Sequence, residues 1–126
     1  MRKSGEALRS FGETVPQVFA GRVAAFLRMI HPLKTAACVE ADTSGRIPAK
    51  TVSKWLEGAA SPNGQNYNEL LALPYGAELF VYVNPDASSS EMREVARLQH
   101  QARLERENAE LRARLSGQLT EIWGGR

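Results

Sequence analysis

Cysteine and histidine are scarce in this sequence, which has one cysteine and two histidines among 126 residues. A single cysteine, Cys38, excludes an intramolecular disulfide and cannot supply the cluster of ligands that a zinc site needs. His31 and His100 are not accompanied by a nucleophile and an orienting residue, and no glycine-rich phosphate loop is present. We therefore expect no catalytic residues, no metal site, no cofactor and no small-molecule substrate.

Long apolar runs and a strong net charge are missing as well. No run approaches the roughly 20 apolar residues that span a bilayer, and the charged N-terminus is not followed by the apolar region of a signal peptide. We therefore expect a cytoplasmic protein without membrane contacts. The formal net charge of +2 is too small to indicate nucleic acid by itself. The basic excess lies in residues 1–85, because positive and negative side chains balance after residue 85.

The six prolines all lie between segments of helical periodicity. Because a proline inside a helix costs about 3 kcal/mol, these positions divide the first 85 residues into helix-sized pieces. Residues 1–15 predict a flexible polar arm. The predicted helices cover approximately residues 16–30, 33–43, 48–58 and 65–73. Residues 75–83 fit either a short fifth helix, which we favour, or an edge strand, and residues 85–90 fit a linker that ends in a helix N-cap.

Residues 47–58, Ile-Pro-Ala-Lys-Thr-Val-Ser-Lys-Trp-Leu-Glu-Gly, carry the most informative pattern in the chain. Pro48 suits the first turn of a helix and Gly58 suits its end. Val52, Trp55 and Leu56 share one helical face, which predicts burial. The opposite face carries small residues, hydroxyl groups and two lysines. Such a face suits a helix that enters a groove of DNA beside phosphates.

The segment from residue 16 to residue 73 resembles the helix-turn-helix domain of phage-repressor-type (lambda-repressor-like) regulators. In that family an apolar residue closes the turn, and apolar residues five and eight positions later hold the recognition helix. Ile47, Val52 and Trp55 have this spacing. The turn around residues 44–46 is about two residues longer than in the family, and Glu40 stands near where the family prefers alanine. The resemblance implies a helix-turn-helix DNA-binding domain over residues 16–84.

The resemblance also implies which residues contact double-stranded DNA. Lys50 would reach guanine acceptors and Thr51 a thymine methyl group, while the starts of the flanking helices would hold phosphates. Arg2, Lys3 and Arg9 would add contacts from the arm. The implied DNA-binding residues are Lys34, Thr35, Arg46, Ala49, Lys50, Thr51, Ser53, Lys54, Asn63, Gln65 and Asn66. Each of them is also compatible with an ordinary solvated position on a helix surface.

From Ser90 to about Trp123 the sequence has no proline and is rich in Glu, Arg, Ala, Leu and Gln, which predicts one long helix. When Leu104 and Leu111 are placed at heptad position d, position a is taken by Asn108, Leu115 and Ile122. These dimerisation residues are Leu104, Asn108, Leu111, Leu115 and Ile122. A single asparagine at position a favours a parallel two-stranded coiled coil. Residues 91–123 therefore predict a coiled coil that forms a homodimer.

Two features complicate the coiled coil. Upstream, Met92, Val95, Leu98 and Ala102 form a second apolar seam that is offset from the first, which indicates a stutter or a change of packing partner near residue 100. The alternative is a single amphipathic helix that packs on its own domain.

These patterns together predict an all-α protein in which a helix-turn-helix bundle of four or five helices precedes a long coiled-coil helix. The expected function is that of a dimeric, sequence-specific transcriptional regulator, a repressor of the phage or mobile-element type. A non-enzymatic adaptor is the alternative; its helical domain and coiled coil would both bind proteins.

Overall fold

The computed structural model describes residues 15–124 and is helical throughout that range, apart from short connections. The arm contacts predicted for Arg2, Lys3 and Arg9 lie outside the described residues. The helices are α1 (Val15–Ile30), α2 (Thr35–Asp42), α3 (Ala49–Leu56), α4 (Gly64–Leu71), α5 (Gly76–Val83), a 3-10 turn (Pro85–Ala87) and α6 (Ser90–Gly124). The all-α class and the long C-terminal helix are confirmed. Within residues 15–124, no helix combines the length and the apolar character needed to cross a membrane.

One hydrophobic core joins the first five helices, which we call the head. Its buried side chains are Val23, Phe26, Leu27, Ile30, Val39, Ile47, Val52, Trp55, Leu70, Tyr75, Leu79 and Val83. Two arginines of α1 satisfy carbonyl groups at the ends of neighbouring helices. Arg22 Nη1 donates to the carbonyl oxygen of Val83 at 2.9 Å, and Arg28 Nη2 donates to that of Leu56 at 2.7 Å. Because the last carbonyls of a helix have no partner within it, these bonds fix α3 and α5 against α1.

Residues 75–83 contain the helix α5, so the edge strand is excluded and the fifth helix is confirmed. The helix packs against α1, α4 and α6, and its Leu79 and Val83 are buried. Gly76 at its start allows a close approach of two chain segments. A Cβ atom there would lie 1.8 Å from the carbonyl oxygen of Leu71. Local periodicity did not distinguish a helix from a strand in residues 75–83. Packing against neighbouring helices on several sides stabilises the helix.

The first half of α6 packs on α5 of the same chain. Ala96 is buried there, and the side-chain oxygen of Gln99 accepts hydrogen bonds from the backbone N–H groups of Ala77 at 2.8 Å and Glu78 at 3.1 Å. Gln99 thus caps the N-terminus of α5. The Glu78 carboxylate, with its side chain 8% exposed, pairs with Arg103 Nη2 at 2.7 Å. This polar clasp holds α6 on the head.

The predicted upstream seam of α6 does not form one buried face. Met92 is half-buried, but Val95 and Leu98 are 46% and 50% exposed and Ala102 is exposed too. The docked face is centred on Ala96 instead. The contact between α6 and the head uses a small residue and the polar clasp instead of these larger apolar side chains.

The connection between the head and α6 is short and ordered. Pro85–Ala87 forms the 3-10 turn, and the Ser89 hydroxyl accepts a hydrogen bond from the Met92 N–H at 3.1 Å. That bond caps the start of α6, as predicted for the end of the linker. The head therefore passes into α6 through a hydrogen-bonded turn.

Candidate nucleic-acid interface

The connection between α2 and α3 is a closely hydrogen-bonded turn. At the end of α2, Ser44 and Gly45 have left-handed backbone angles, with φ of 55° and 82°. The Gly45 N–H donates to the Glu40 carbonyl oxygen at 2.8 Å, which closes the helix in a Schellman motif. Buried Thr43 adds two bonds: its hydroxyl donates to that same carbonyl and accepts from the Ile47 N–H, each at 3.1 Å. The longer turn is therefore held by its own polar groups.

Apolar contacts fix the inner face of α3. Ile47 and Val52 are 0% exposed and Trp55 is 2% exposed, which confirms these predicted buried positions. Leu56, predicted on the same face, is only half-buried. The helix ends where predicted: Gly58 has a φ of 80°, and the Ala59 N–H donates to the Lys54 carbonyl oxygen at 2.8 Å. Packing on one side and closure at the end leave α3 a single orientation on the head.

Glu40 of α2 holds the start of α3. Its Oε1 accepts a hydrogen bond from the Ala49 N–H at 3.2 Å, so a carboxylate occupies the positive end of the α3 dipole. In the sequence, Glu40 is noticeable only as a departure from the family pattern, and this capping role was not predicted. The Glu40 side chain joins α2 to the first turn of α3.

The outward face of α3 is basic and accessible. Lys50 and Lys54 are exposed, and Ala49, Thr51 and Ser53 are half-buried. Among residues 15–124, no carboxylate lies within ion-pairing distance of either lysine. The predicted residues of α3 therefore do share one helix, with both of its lysine charges available to a ligand.

The predicted flanking residues are more engaged with the protein itself. Lys34 is exposed at the start of α2, but the Thr35 hydroxyl donates to the His31 carbonyl oxygen at 2.5 Å. Arg46, whose side chain is 61% exposed, pairs with Glu69 of α4 through Nε at 2.7 Å. This ion pair ties α4 to the turn before α3. A ligand of Arg46 or Thr35 would compete with these contacts.

At the start of α4, Asn63 acts as the N-cap. Its Oδ1 accepts a hydrogen bond from the Asn66 N–H at 2.8 Å, which uses one of the N–H groups predicted to hold a phosphate. Gln65 is exposed and Asn66 is half-buried. Asn63 is exposed as well, but its side chain is engaged as the cap, so Gln65 is the exposed residue of the three whose side chain forms no capping bond.

A partly buried polar cluster braces the C-terminal end of α2. The Asp42 carboxylate bonds His31 Nε2 at 2.7 Å and the Tyr75 hydroxyl at 2.8 Å, which links the ends of α1 and α2 to the start of α5. Burial raises the pKa of the Tyr75 hydroxyl, and the neighbouring carboxylate raises it further. Burial also acts to raise the pKa of Asp42, but the two hydrogen bonds outweigh it and hold that pKa below its usual range.

The distal half of α6, which we call the stem (residues 104–124), extends beyond the clasp with every described residue exposed. Four of the five predicted dimerisation residues are large apolar side chains, with exposed fractions of 42% at Leu104, 56% at Leu111 and at Leu115, and 69% at Ile122. Asn108 lies among them on the same face and is also exposed. The stem is therefore not packed on its own domain, which was the alternative to the coiled coil. The first half of α6, in contrast, does pack on the head.

Comparisons with known proteins give no relative: no family model matches the chain, and no curated protein or solved structure shows significant similarity. Among residues 15–124, no group of three or more His, Cys, Asp or Glu side chains is placed to hold a metal ion.

Proposed function

We propose that this chain is a sequence-specific DNA-binding transcriptional regulator in which α2, the turn and α3 act as a helix-turn-helix. One observation carries the proposal: α3 is anchored by Val52 and Trp55 on one side and presents Lys50 and Lys54 on the other, without carboxylate partners. A helix held in this way can lie in the major groove with its outward face toward base edges. The resemblance to phage-repressor-type regulators suggests a repressor.

The residues then divide by role. Lys50 is placed to reach the O6 and N7 acceptors of guanine, and Ser53 to bond a base edge or phosphate on the same face. Lys54 and Lys34 supply charge to the phosphate backbone. Glu40 binds no DNA in this scheme; it positions α3.

The stem supports a dimer. Its exposed apolar seam with Asn108 at position a suits a parallel two-stranded coiled coil, because a buried asparagine prefers to face another. Two heads joined through their stems would bind half-sites about one turn of the duplex apart. The expected operator is therefore roughly palindromic.

Binding to random-sequence duplex DNA at several salt concentrations tests the proposal. Neutralisation of phosphates by lysine makes affinity fall steeply as salt rises. Absence of binding at low salt would contradict the proposal and favour the adaptor, in which the same surfaces bind proteins. A footprint on the DNA flanking the protein's own gene would then give the operator.

Replacing Leu104 and Leu111 with alanine tests the dimer. The double variant should sediment as a monomer and bind DNA more weakly, while its head keeps the wild-type melting temperature. Val95→Ala with Leu98→Ala is the matched control, because these residues are exposed on another face of α6. Wild type that sediments as a monomer at tens of micromolar, where modest zippers associate, would contradict the dimer.

A further inference from the structure

A groove lined by both apolar and charged side chains lies between the end of α1 and the stem. It has a volume of about 380 Å³, and its lining includes Met29 and Pro32 from the head and Leu111 from the stem. Met29 and Leu111 are both 56% exposed, and Leu33, next to Pro32, is 81% exposed. Large apolar side chains of the head are thus exposed directly beside the predicted coiled-coil seam.

The groove opens toward the seam. Successive residues of a helix are about 100° apart, which places the seam about 110° around α6 from the face that docks on the head. Glu107 and Arg114 lie on the edge between those two faces, and both line the groove. Leu111 belongs to the seam and to the groove at once. A helix paired with the seam would therefore lie close to Met29 and Pro32.

The seam alone is short for a stable dimer. Between Leu104 and Ile122 two of its heptad positions are polar, Asn108 at a and Gln118 at d. Stable interfaces bury about 800 Å² on each partner, and about three heptads with two polar layers supply little apolar area. The exposed side chains of the head would add to that area.

Leu119 is a large apolar side chain that its own chain leaves partly exposed. It is 46% exposed at heptad position e, about 170° around α6 from the docked face. In a parallel two-stranded coil, the e edge of one helix lies against the g edge of the other. The g edge here is the one formed by Glu107 and Arg114, beside the groove. Arg112, which shares the e edge with Leu119, has the charge opposite to that of Glu107.

From this arrangement we infer that the groove of Met29, Pro32 and Leu111 receives the stem of a second copy of this chain. Leu119 of the partner subunit packs against Met29, and Arg112 of the partner subunit pairs with Glu107. The inference rests on the proposed dimer and extends it: each head contacts both stems. The two heads are thereby held at a set orientation, which fixes the spacing of the half-sites.

Charge placed in the groove provides the first test. Met29→Asp and Leu119→Asp should each raise the dissociation constant of the dimer at least about tenfold by sedimentation equilibrium. Val95→Asp is the matched control and should leave it unchanged, because Val95 is 46% exposed, as Leu119 is, but lies at heptad position b, away from both the seam and the e edge. Unchanged melting temperatures of the heads would show that the variants fold. Normal dimerisation of Met29→Asp and Leu119→Asp overturns the inference while the coiled coil itself stands.

A disulfide between copies provides the second test. Chains carrying Met29→Cys and chains carrying Leu119→Cys, each with Cys38→Ser, are mixed and oxidised. A disulfide that joins the two kinds of chain supports the inference. If wild type dimerises and no such bond forms, the inference is overturned. If wild type is monomeric at tens of micromolar, the inference and the proposed dimer fail together, whereas DNA binding by the single head is still measured separately.

Discussion

Replacing Arg103 with alanine should destabilise the protein far more than replacing Arg97, although both arginines form short ion pairs on α6. Arg103 Nη2 lies 2.7 Å from Glu78, and Arg97 Nη2 lies 2.6 Å from Glu94. The pairs differ in solvation. The side chains of the first are 15% and 8% exposed, and those of the second are 59% and 57% exposed.

The expected magnitude follows from what each substitution leaves behind. Arg103→Ala leaves the Glu78 carboxyl group in a nearly dry site without its arginine partner, with His100 Nδ1 beside it at 3.3 Å. Removing one partner of a buried pair costs about 3–5 kcal/mol, and the remaining histidine places the expected value near the lower end. For a domain of this size the melting temperature should fall by about 10 °C or more. Arg97→Ala exposes nothing buried, and surface pairs contribute little, so its melting temperature should equal that of wild type.

Thermal unfolding followed by circular dichroism at 222 nm measures the difference. A third variant, Glu78→Gln with Arg103→Met, should recover most of the lost stability, because a buried pair can be replaced by uncharged groups of similar size at little cost. Equal melting temperatures for Arg103→Ala and Arg97→Ala would refute the assignment of the Glu78–Arg103 pair as the clasp of the head and α6.

Three further predictions concern the stability of the head. Trp55→Ala should cost about 3–5 kcal/mol and leave the head largely unfolded; an unchanged melting curve would contradict the burial of its ring. Gly76→Ala should cost at least about 2 kcal/mol in chemical denaturation because the new methyl group overlaps a backbone carbonyl, whereas Gly21→Ala, in open space on α1, should be neutral or stabilising. The lowered pKa of Asp42 stabilises the fold above the unfolded-state value of about 4, and that contribution is lost as pH falls through the folded-state pKa. Asp42→Asn, which weakens the bond to His31, should therefore melt below wild type at neutral pH, and the gap should narrow in acid.

Local periodicity was enough to predict the helices and the inner face of α3. Val52 and Trp55 are three residues apart on α3, so their common burial can be read from neighbouring residues alone. The burial of Ile47, which lies before the helix, was implied by the resemblance instead. The same helical periodicity predicts which residues of α3 are exposed. Proline positions gave the approximate ends of the helices because each proline excludes the interior of a helix.

Polar contacts between distant residues could not be predicted in this way. Glu40 caps the residue nine positions after it, and Gln99 caps α5 across more than twenty positions. Neither contact produces a periodic pattern in the sequence, because each cap is formed by one side chain alone. The docked face of α6 was missed for a related reason: Ala96 is small, and the neighbouring Val95 and Leu98 carry the stronger apolar signal.

The most direct test of the account is DNA binding by wild type and by Lys50→Ala with Lys54→Ala, measured over a range of salt concentrations. The variant should keep the wild-type melting curve and bind more weakly. It should also lower the slope of log affinity against log salt by about 0.9 per head, because Lys54 is the one of the two lysines assigned to a phosphate and each lost phosphate contact removes about 0.9. Arg97→Ala with Arg106→Ala removes the same charge from α6 and should leave the slope unchanged. Equal affinities and slopes for wild type and the double lysine variant would contradict the claim that α3 is the DNA-contacting helix.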